Sequence, residues 1–551
     1  MLKKECIIIA VILFLGAFFR FYDLGKTPPG LYPDEAMNGN NALEAIYSND
    51  IGVYSFKIFY PENNGREGFF INLQAISVAV FGNTPWALRV VSALFGTLTI
   101  LGLYLLTKEL FKNTAISLLS SFFLAISFWH INFSRIGFRA IMVPFLSVFA
   151  LYFLLKGIRG EKIWDFIWAG VFTGLGLQTY IAFRFVPFVI LIPLLWYATQ
   201  SVKRKAQSHN LKLKTKILHI ALFLVTALII FLPLGLYFLQ NPQDFLGRGG
   251  QVSIFSAQSP IKEFLKSNLL TLQMFFFKGD CNWRHNLACQ PQLNPIVAIF
   301  FLIGLILSLK SVLTKSHFVM VLTDRSLSDP LAHLVLLCWI LFLSLPATLT
   351  REGLPHALRS IGMIPPVMIL AGLGCWWVLE KIDLWLENQK KKWPAYKNQL
   401  ERLNKEIVLL VLVVFLAITY TTYRDYFVRW ANNPNTYFAF STDLWNLGKY
   451  LDGLPEDVHK YIIVNSSGTE VRGIPMPAQT VMFATNSFAP SRKERNFTYV
   501  GPDQIDRIFL AENKKAVIAF LNGDDRDLIF SVQKKFPELR VRVPGDFVIL
   551  E

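Results

Sequence analysis

Apolar residues run along this chain in long blocks rather than alternating with polar ones. The blocks 217–238, 295–309 and 407–420 carry few polar residues on any face, so each reads as a helix buried all round or set in lipid. The hydrocarbon core of a bilayer is about 30 Å thick, and roughly 20 helical residues cross it. Blocks near 6–22, 86–107, 115–131, 141–156, 163–180, 185–200, 217–238, 294–310, 332–349, 361–379 and 407–423 meet or approach that length. They predict a polytopic α-helical membrane protein with about 11 crossings. A solenoid of soluble helices would need polar faces that these runs lack.

From Tyr426 the pattern changes. Short β-rich runs at 461–464, 480–484, 516–520, 539–543 and 547–550 alternate with polar or helical stretches such as 525–535, a pattern that favours a small soluble α/β domain. The chain therefore divides into a membrane part, 1–425, and a C-terminal part, 426–551. The membrane part carries two long polar connections, 23–85 and 239–293.

Composition agrees with the pattern: 53% of the 551 residues are hydrophobic, and the mean hydropathy is +0.41. The net charge of +16 would suggest nucleic acid if it formed one patch. Instead Lys and Arg gather in alternate connections: Lys3 and Lys4; Lys108 and Lys112; Lys156, Arg159 and Lys162; Lys203 to Lys216; Lys390 to Lys405. That alternation marks cytoplasmic loops. It puts the N-terminus inside and the two long connections outside. An odd number of crossings then places the C-terminal domain outside as well. The first apolar block resembles a signal peptide without a clear cleavage site and is expected to remain as a spanning helix. Cys6, Cys338 and Cys375 fall in apolar runs. Cys281 and Cys289 share an outer loop, where a disulfide and two free thiols are both open readings.

Candidate chemistry lies in the outer connections. The first contains Pro28-Pro-Gly-Leu-Tyr-Pro-Asp34-Glu35-Ala, an acidic pair held near the bilayer by a rigid turn. A carboxylate there suits a general base, and Asp34 also suits a helix start. Asn63-Asn-Gly-Arg66-Glu67-Gly offers a second acid that could bind a metal, bind the acceptor or orient the donor. A plain Arg66–Glu67 ion pair is the competing reading. Single basic residues stand at outer helix ends or in outer loops: Arg135, Arg139, Arg184, Arg248, Lys278, Arg284 and Arg359. Charge near the membrane is costly and tends to mark a site. Guanidinium grips phosphate bidentately, although such arginines also snorkel to ordinary lipid headgroups. No His/Cys ligand set is evident from spacing.

These pieces together resemble the C-type (GT-C) membrane glycosyltransferases, in the protein O-mannosyltransferase and lipid A aminoarabinose transferase branch. The resemblance covers about residues 1–430. It rests on the acidic pair Asp34-Glu35, on Gly65-Arg66-Glu67, on Trp86-Ala-Leu-Arg-Val-Val-Ser-Ala-Leu-Phe-Gly and on Ser134-Arg-Ile-Gly-Phe-Arg-Ala. Asn241-Pro-Gln-Asp-Phe-Leu-Gly-Arg248 and Gly279-Asp280…Arg284-His-Asn add to it. The family implies a first outer loop with helices along the membrane, and sugar taken from a lipid monophosphate. It implies Asp34 as general base, inversion at the anomeric carbon, and polyprenyl phosphate leaving. Glu35, Arg66 and Glu67 would position donor or acceptor, with Glu67 also a candidate metal ligand. Arg248 is similar in position to a family arginine that meets the lipid phosphate; Arg135, Arg139, Arg184, Lys278, Arg284 and Arg359 are candidates for the same phosphate from their placement and charge. Gly68 stands where relatives often carry proline, which leaves the role of Glu67 open, and the C-terminal domain varies, which leaves the acceptor open.

The scheme asks for one base and a cationic cradle. A divalent metal is compatible with it but not required. Its partners are a polyprenyl-phosphate sugar, an acceptor protein, lipid or glycan, and membrane lipid; nucleic acid is not among them. A bacterial cytoplasmic membrane, active face outward, is the expected location. The alternative is a lipid-linked glycan flippase or other transporter, which predicts internal repeats and broken midplane helices; neither is seen. An oligosaccharyltransferase of related fold would carry Trp-Trp-Asp in its soluble domain, whereas Trp376-Trp377 here precedes Val378 in an apolar run. A scaffold whose tail binds envelope proteins is the third rival.

Overall fold

The computed structural model describes residues 2–47, 55–199, 209–246, 253–313, 330–488, 496–510 and 515–551. All eleven expected apolar blocks are helical. Among the described residues, eight helices are long and apolar enough to cross a bilayer, and Thr114–Ala125 with Phe128–Ser134 counts as a ninth where that pair, bent by 60°, is taken as one span. The other two fall short for physical reasons. Helix α1 (Leu2–Phe21) carries Lys3, Lys4, Glu5 and Arg20, and Ile163–Gly176 is only 14 residues long. The chain is a multi-pass membrane protein.

Ile364–Lys392 runs through the bundle between Thr114–Ala125 and Pro295–Leu313, and residues 364–375 are buried throughout. Small residues allow that approach: a Cβ on Gly374 would lie 2.0 Å from the Phe300 carbonyl oxygen. Helix–helix contact in lipid depends on such close packing rather than on the hydrophobic effect. Lys397–Tyr423, by contrast, exposes Val408, Leu409, Leu412 and Leu416, the surface expected of a helix facing lipid. At one end of the bundle Glu5 meets Lys108 and Tyr104, and Arg159 meets Glu109. The basic connections after α4 (Pro85–Phe111) and after Met142–Gly160 thus gather beside the N-terminus.

The opposite end holds the first long connection. It folds into α2 (Pro33–Tyr47), a short antiparallel pair β1 (Phe59–Tyr60) and β2 (Arg66–Glu67), and α3 (Gly68–Phe81). A buried ion pair fixes its entrance. Glu35 and Arg89 side chains are both 0% exposed, with Nε 3.1 Å from Oε1. Arg89 also donates to the carbonyls of Pro28 at 2.7 Å and Gly30 at 2.8 Å. Gly137 N–H donates to Glu35 at 2.7 Å. Gly30 has φ 58°, and a Cβ there would come within 2.5 Å of Thr442 Cα, so the turn tolerates no side chain.

The C-terminal part contains a five-stranded sheet in the order β6 (Phe497–Val500), β3 (His459–Ile463), β7 (Ala516–Phe520), β9 (Ile549–Leu550), β8 (Val541–Arg542). β3 is parallel to β6 and β7, and the β7–β9 and β9–β8 pairs are antiparallel. A two-stranded hairpin, β4 (Glu470–Val471) and β5 (Ile474–Pro475), lies beside it. The expected strand at 480–484 is instead the helix Ala478–Thr485, whose residues are all buried. An apolar run buried on every side has no period to separate strand from helix. This helix docks on the first connection. Asn40 Nδ2 donates to Gln479 Oε1 at 2.9 Å, Thr480 Oγ1 to the Leu31 carbonyl at 3.0 Å, and Asn83 Nδ2 to the Phe483 carbonyl at 3.1 Å.

Replacing Arg89 by Leu strands the Glu35 carboxylate in the interior. The expected cost is about 3–5 kcal/mol, read as a lower thermal midpoint in detergent. The double change Glu35→Gln with Arg89→Met should recover part of that loss.

Candidate active site

Helix α2 starts at Pro33, so Asp34 and Glu35 both stand in its first turn, and successive helix residues point in different directions. Glu35 turns inward to Arg89. Asp34 turns to a cavity of about 570 Å³ at this end of the bundle. Asn63 Nδ2 donates to Asp34 Oδ1. Asn63, Asn64 and Gly65 follow one another with φ 53°, 63° and 80°, a run of left-handed backbone that Asn and Gly tolerate best. Arg66 is held from above and below, donating to Asn38 Oδ1 at 2.7 Å, to Asn41 Oδ1 and to the Glu62 carbonyl at 3.3 Å. Burial, and then the neighbouring Arg139 charge, pull its pKa down to about 10, which still leaves it cationic at neutral pH.

Four further arginines line the same space. Arg139 Nε donates to Glu67 at 2.8 Å and to the Thr179 carbonyl at 3.1 Å. Arg184 donates to the Phe245 carbonyl at 2.8 Å, with its guanidinium 4.2 Å from the Phe245 ring centre. The Arg284 guanidinium lies 4.2 Å from the Tyr32 ring centre. Arg359 donates to Thr350 Oγ1 at 2.7 Å and to the Glu352 carbonyl at 2.9 Å. Among the described residues, Arg66, Arg139, Arg184, Arg284 and Arg359 face Asp34, Glu67 and Asp244 in the lining. Five guanidiniums against three carboxylates give a formal +2, which concentrates anions in a cleft walled by low-dielectric material.

Beside the arginines sits a cluster that sequence spacing does not reveal. Asp280 Oδ2 accepts from His285 Nδ1 at 2.9 Å and from Ala357 N–H at 2.8 Å, and Oδ1 accepts from Asn282 N–H at 2.8 Å. His356 Nδ1 is 4.0 Å from the same carboxylate. Burial alone would lift the Asp280 carboxyl; the hydrogen bond and charge of His285, the His356 charge and the Asn282 N–H outweigh it and hold it below the usual range. Burial, then the charges of His285 and Arg359, push His356 well below an ordinary histidine. One ligand atom from each of Asp280, His285 and His356 lies within 4.8 Å of the others. Two imidazoles and a carboxylate suit a zinc-like ion, so these residues could hold one, provided the Asp280–His285 hydrogen bond gives way. Glu67 is not in this group; its carboxylate is taken by Arg139.

Not every residue expected at the site reaches the cavity. Glu35 is consumed by Arg89. Arg135 is 0% exposed and donates to the carbonyls of Phe19, Tyr22 and Thr27 at 2.9, 2.7 and 2.7 Å; it ties α1 to the turn before α2. Lys278 is exposed and lies off the lining. Arg248 falls outside the described residues. Asp34, Arg66, Glu67, Arg139, Arg184, Arg284 and Arg359 are brought together. Cys281 and Cys289 are joined by a disulfide within the loop that carries Asn282, Arg284 and His285. Asp280, His285, His356, Asn63 and Asn38 were missed as site residues. Asp280 and His356 are 76 positions apart, and the local signal available at each is a nearby arginine, Arg284 or Arg359.

The site is thus a polar, cationic cavity at one end of a bundle of long apolar helices, beside the connection that carries α2 and α3. Residues 69–237 match the family model described as dolichyl-phosphate-mannose-protein mannosyltransferase. The chain is 33% identical over 178 residues to undecaprenyl phosphate-alpha-4-amino-4-deoxy-L-arabinose arabinosyl transferase 2 of Pseudomonas fluorescens, covering 31% of this chain and 30% of that protein. It is 27% identical over 217 residues to YkcB of Bacillus subtilis, provisionally named a mannosyltransferase, covering 37% and 28% respectively. The matches thus span under a third of those relatives' own lengths. Among solved structures, ArnT from Cupriavidus metallidurans bound to undecaprenyl phosphate superposes with a TM-score of 0.54 at 13% identity, covering 100% of this chain and 97% of that one. The chain has the GT-C fold, and its likeness in sequence to membrane glycosyltransferases lies within part of the chain, with residues 69–237 matched by the family model.

Asp280 joins the disulfide loop to the loop before Ile364–Lys392, so Asp280→Asn, which turns one acceptor into a donor, should destabilise by about 1–3 kcal/mol. Because its folded pKa is depressed, the Asp280 contribution is present above the unfolded value and is lost as pH falls through the folded one. Thermal midpoints of wild type and variant should therefore differ at neutral pH. They should converge only below the ordinary aspartate range.

Proposed function

We propose that the cavity is the active site of an inverting glycosyltransferase that moves one sugar from a polyprenyl-phosphate donor to an acceptor hydroxyl on the outer face of the membrane. The observation that carries this reading is the joint placement of Asp34 and five arginines in one cavity. Asn63 engages Asp34 Oδ1, which leaves Oδ2 to take the acceptor proton. The acceptor oxygen then bonds to the anomeric carbon as the carbon–oxygen bond to phosphate breaks. The electron pair leaves with polyprenyl phosphate, and Asp34 ends protonated. Negative charge grows on the departing phosphate, where prearranged guanidiniums stabilise it without reorganisation.

Roles divide by what each cation already touches. Arg184 and Arg284 rest their faces on Phe245 and Tyr32, and these with Arg359 form the phosphate cradle. Arg139 is partly neutralised by Glu67, and that pair positions the sugar or acceptor beside Arg66. The basic connections at the opposite end, near Glu5, Lys108 and Arg159, support a cytoplasmic N-terminus and an outward cavity and C-terminal domain.

The test is sugar transfer from radiolabelled polyprenyl-phosphate sugars by the purified protein, with and without candidate acceptors. Asp34→Asn should cut transfer by roughly 10²–10⁴-fold, the range for a general base, while binding of polyprenyl phosphate persists. A fully active Asp34→Asn protein would remove the base assignment. Arg184→Gln, Arg284→Gln and Arg359→Gln should each weaken polyprenyl-phosphate binding by roughly ten- to hundredfold, as expected for lost charge-assisted hydrogen bonds.

A further inference from the structure

Away from the cavity lining, three segments meet at one guanidinium. Arg472 Nη2 lies 2.8 Å from Glu44 Oε1, 3.0 Å from Glu44 Oε2 and 3.0 Å from Glu62 Oε1. Its guanidinium is 4.6 Å from the Phe488 ring centre. Glu44 belongs to the last turn of α2, Glu62 to the turn between β1 and β2, and Arg472 to the tip of the β4–β5 hairpin. Lys57 adds a second cation 3.5 Å from Glu44. Burial alone would lift the Glu62 carboxyl; its own backbone N–H and Arg472 outweigh that and hold it below its usual value.

Backbone conformation shows that this contact is built rather than incidental. Arg472 and Gly473 form the two-residue link of the hairpin with φ 53° and 78°. Such links favour Asn, Asp or Gly at the first position, so Arg472 stands there against the preference of its backbone. The partner segment is strained too. Asn63, Asn64 and Gly65 are three successive left-handed residues, a conformation that persists only where its surroundings over-determine it. Gly65 N–H reaches the Pro61 carbonyl at 3.1 Å, Arg66 holds the Glu62 carbonyl, and Arg472 grips the Glu62 side chain from outside. The next residue, Asn63, is the one that touches Asp34.

We propose that Arg472 is a positioning residue for Asp34: by clamping Glu62 to Glu44 it holds the strained turn, and through Asn63 it fixes the carboxylate in place. The inference rests on the reading of Asp34 as the base. It makes the C-terminal hairpin part of the active-site scaffold, although no residue of that hairpin is among the described lining of the cavity. The acids set the chemistry of the contact. Glu44 and Glu62 carry like charges in adjacent segments and would repel without a cation between them. The guanidinium fork can span two carboxylates, whereas an ammonium serves as a point charge.

The full-length protein in detergent tests this with two readouts. Hydrogen exchange followed by mass spectrometry should show faster exchange in peptides covering 61–67 for Arg472→Ala, with Ile364–Lys392 unchanged. Transfer kinetics should show kcat lowered by about tenfold, a modest share of the loss expected from misplacing a reacting group, with KM for the polyprenyl-phosphate sugar unchanged. Arg472→Lys should recover part of both effects. Unchanged exchange at 61–67, unchanged kcat, or a rise in exchange spread over the whole protein would each overturn the proposal. If wild type transfers no sugar at all, the active-site reading fails and the role for Asp34 falls with it. The exchange comparison then reports separately whether Arg472 holds the turn.

Discussion

The site depends on an ion pair that lines no part of the cavity. Glu35 and Arg89 are both fully buried, and an isolated charge in either place would be strongly unfavourable. The pair is tolerable because every neighbour contributes hydrogen bonds: Pro28 and Gly30 carbonyls to Arg89, Gly137 N–H to Glu35. Those bonds fix the Pro28–Gly30 turn, and the turn fixes where α2 begins. Asp34 precedes Glu35 in the same first turn. Anchoring Glu35 inward therefore sends Asp34 towards the cavity.

A second constraint acts from above. The helix Ala478–Thr485 lies on α2 through Asn40 and Gly39 and holds the Leu31 carbonyl just before it through Thr480, and Gly30 is pressed against Thr442. The first connection is thus held between the bundle below and the C-terminal part above. A loop that must keep left-handed residues at 63–65 and a buried Arg66 needs such confinement, since fixing each residue opposes about 1–2 kcal/mol of backbone entropy. The C-terminal part therefore bears on the geometry of the site, although none of its described residues lines the cavity.

The sequence made the membrane helices legible because their signal is local: a run of apolar residues is long enough or it is not. The same locality made Asp34 and the Arg66-Glu67 pair visible. What it could not show was direction. Asp34 and Glu35 look equivalent in the sequence, yet one faces the cavity and the other Arg89. The strand expected at 480–484 failed for a related reason, since burial on all sides erased its period. The Asp280–His285–His356 cluster lies beyond local reading altogether. His356 is far along the chain, and only helix packing brings it to Asp280.

The arginines show what separates a structural charge from one available to a ligand. Arg20, Arg89 and Arg135 are all fully buried; main-chain carbonyls take three bonds from Arg20, three from Arg135 and two from Arg89, whose other two go to Glu35. Arg20 reaches Gly16, Leu124 and Ala125, with His130 as a further partner. Such a guanidinium staples chain segments where water is absent. Arg184 and Arg284 are held differently, by a ring against the guanidinium face. Ring contact is electrostatic and occupies the face, so it leaves the N–H edge, from which Arg184 donates to the Phe245 carbonyl and Arg284 to Asn282 Oδ1. A sequence shows that an arginine stands at a helix end. Whether it binds backbone or substrate depends on how many carbonyls the fold brings within reach, and at Arg135 that number is three while at Arg184 the described hydrogen bonds include one.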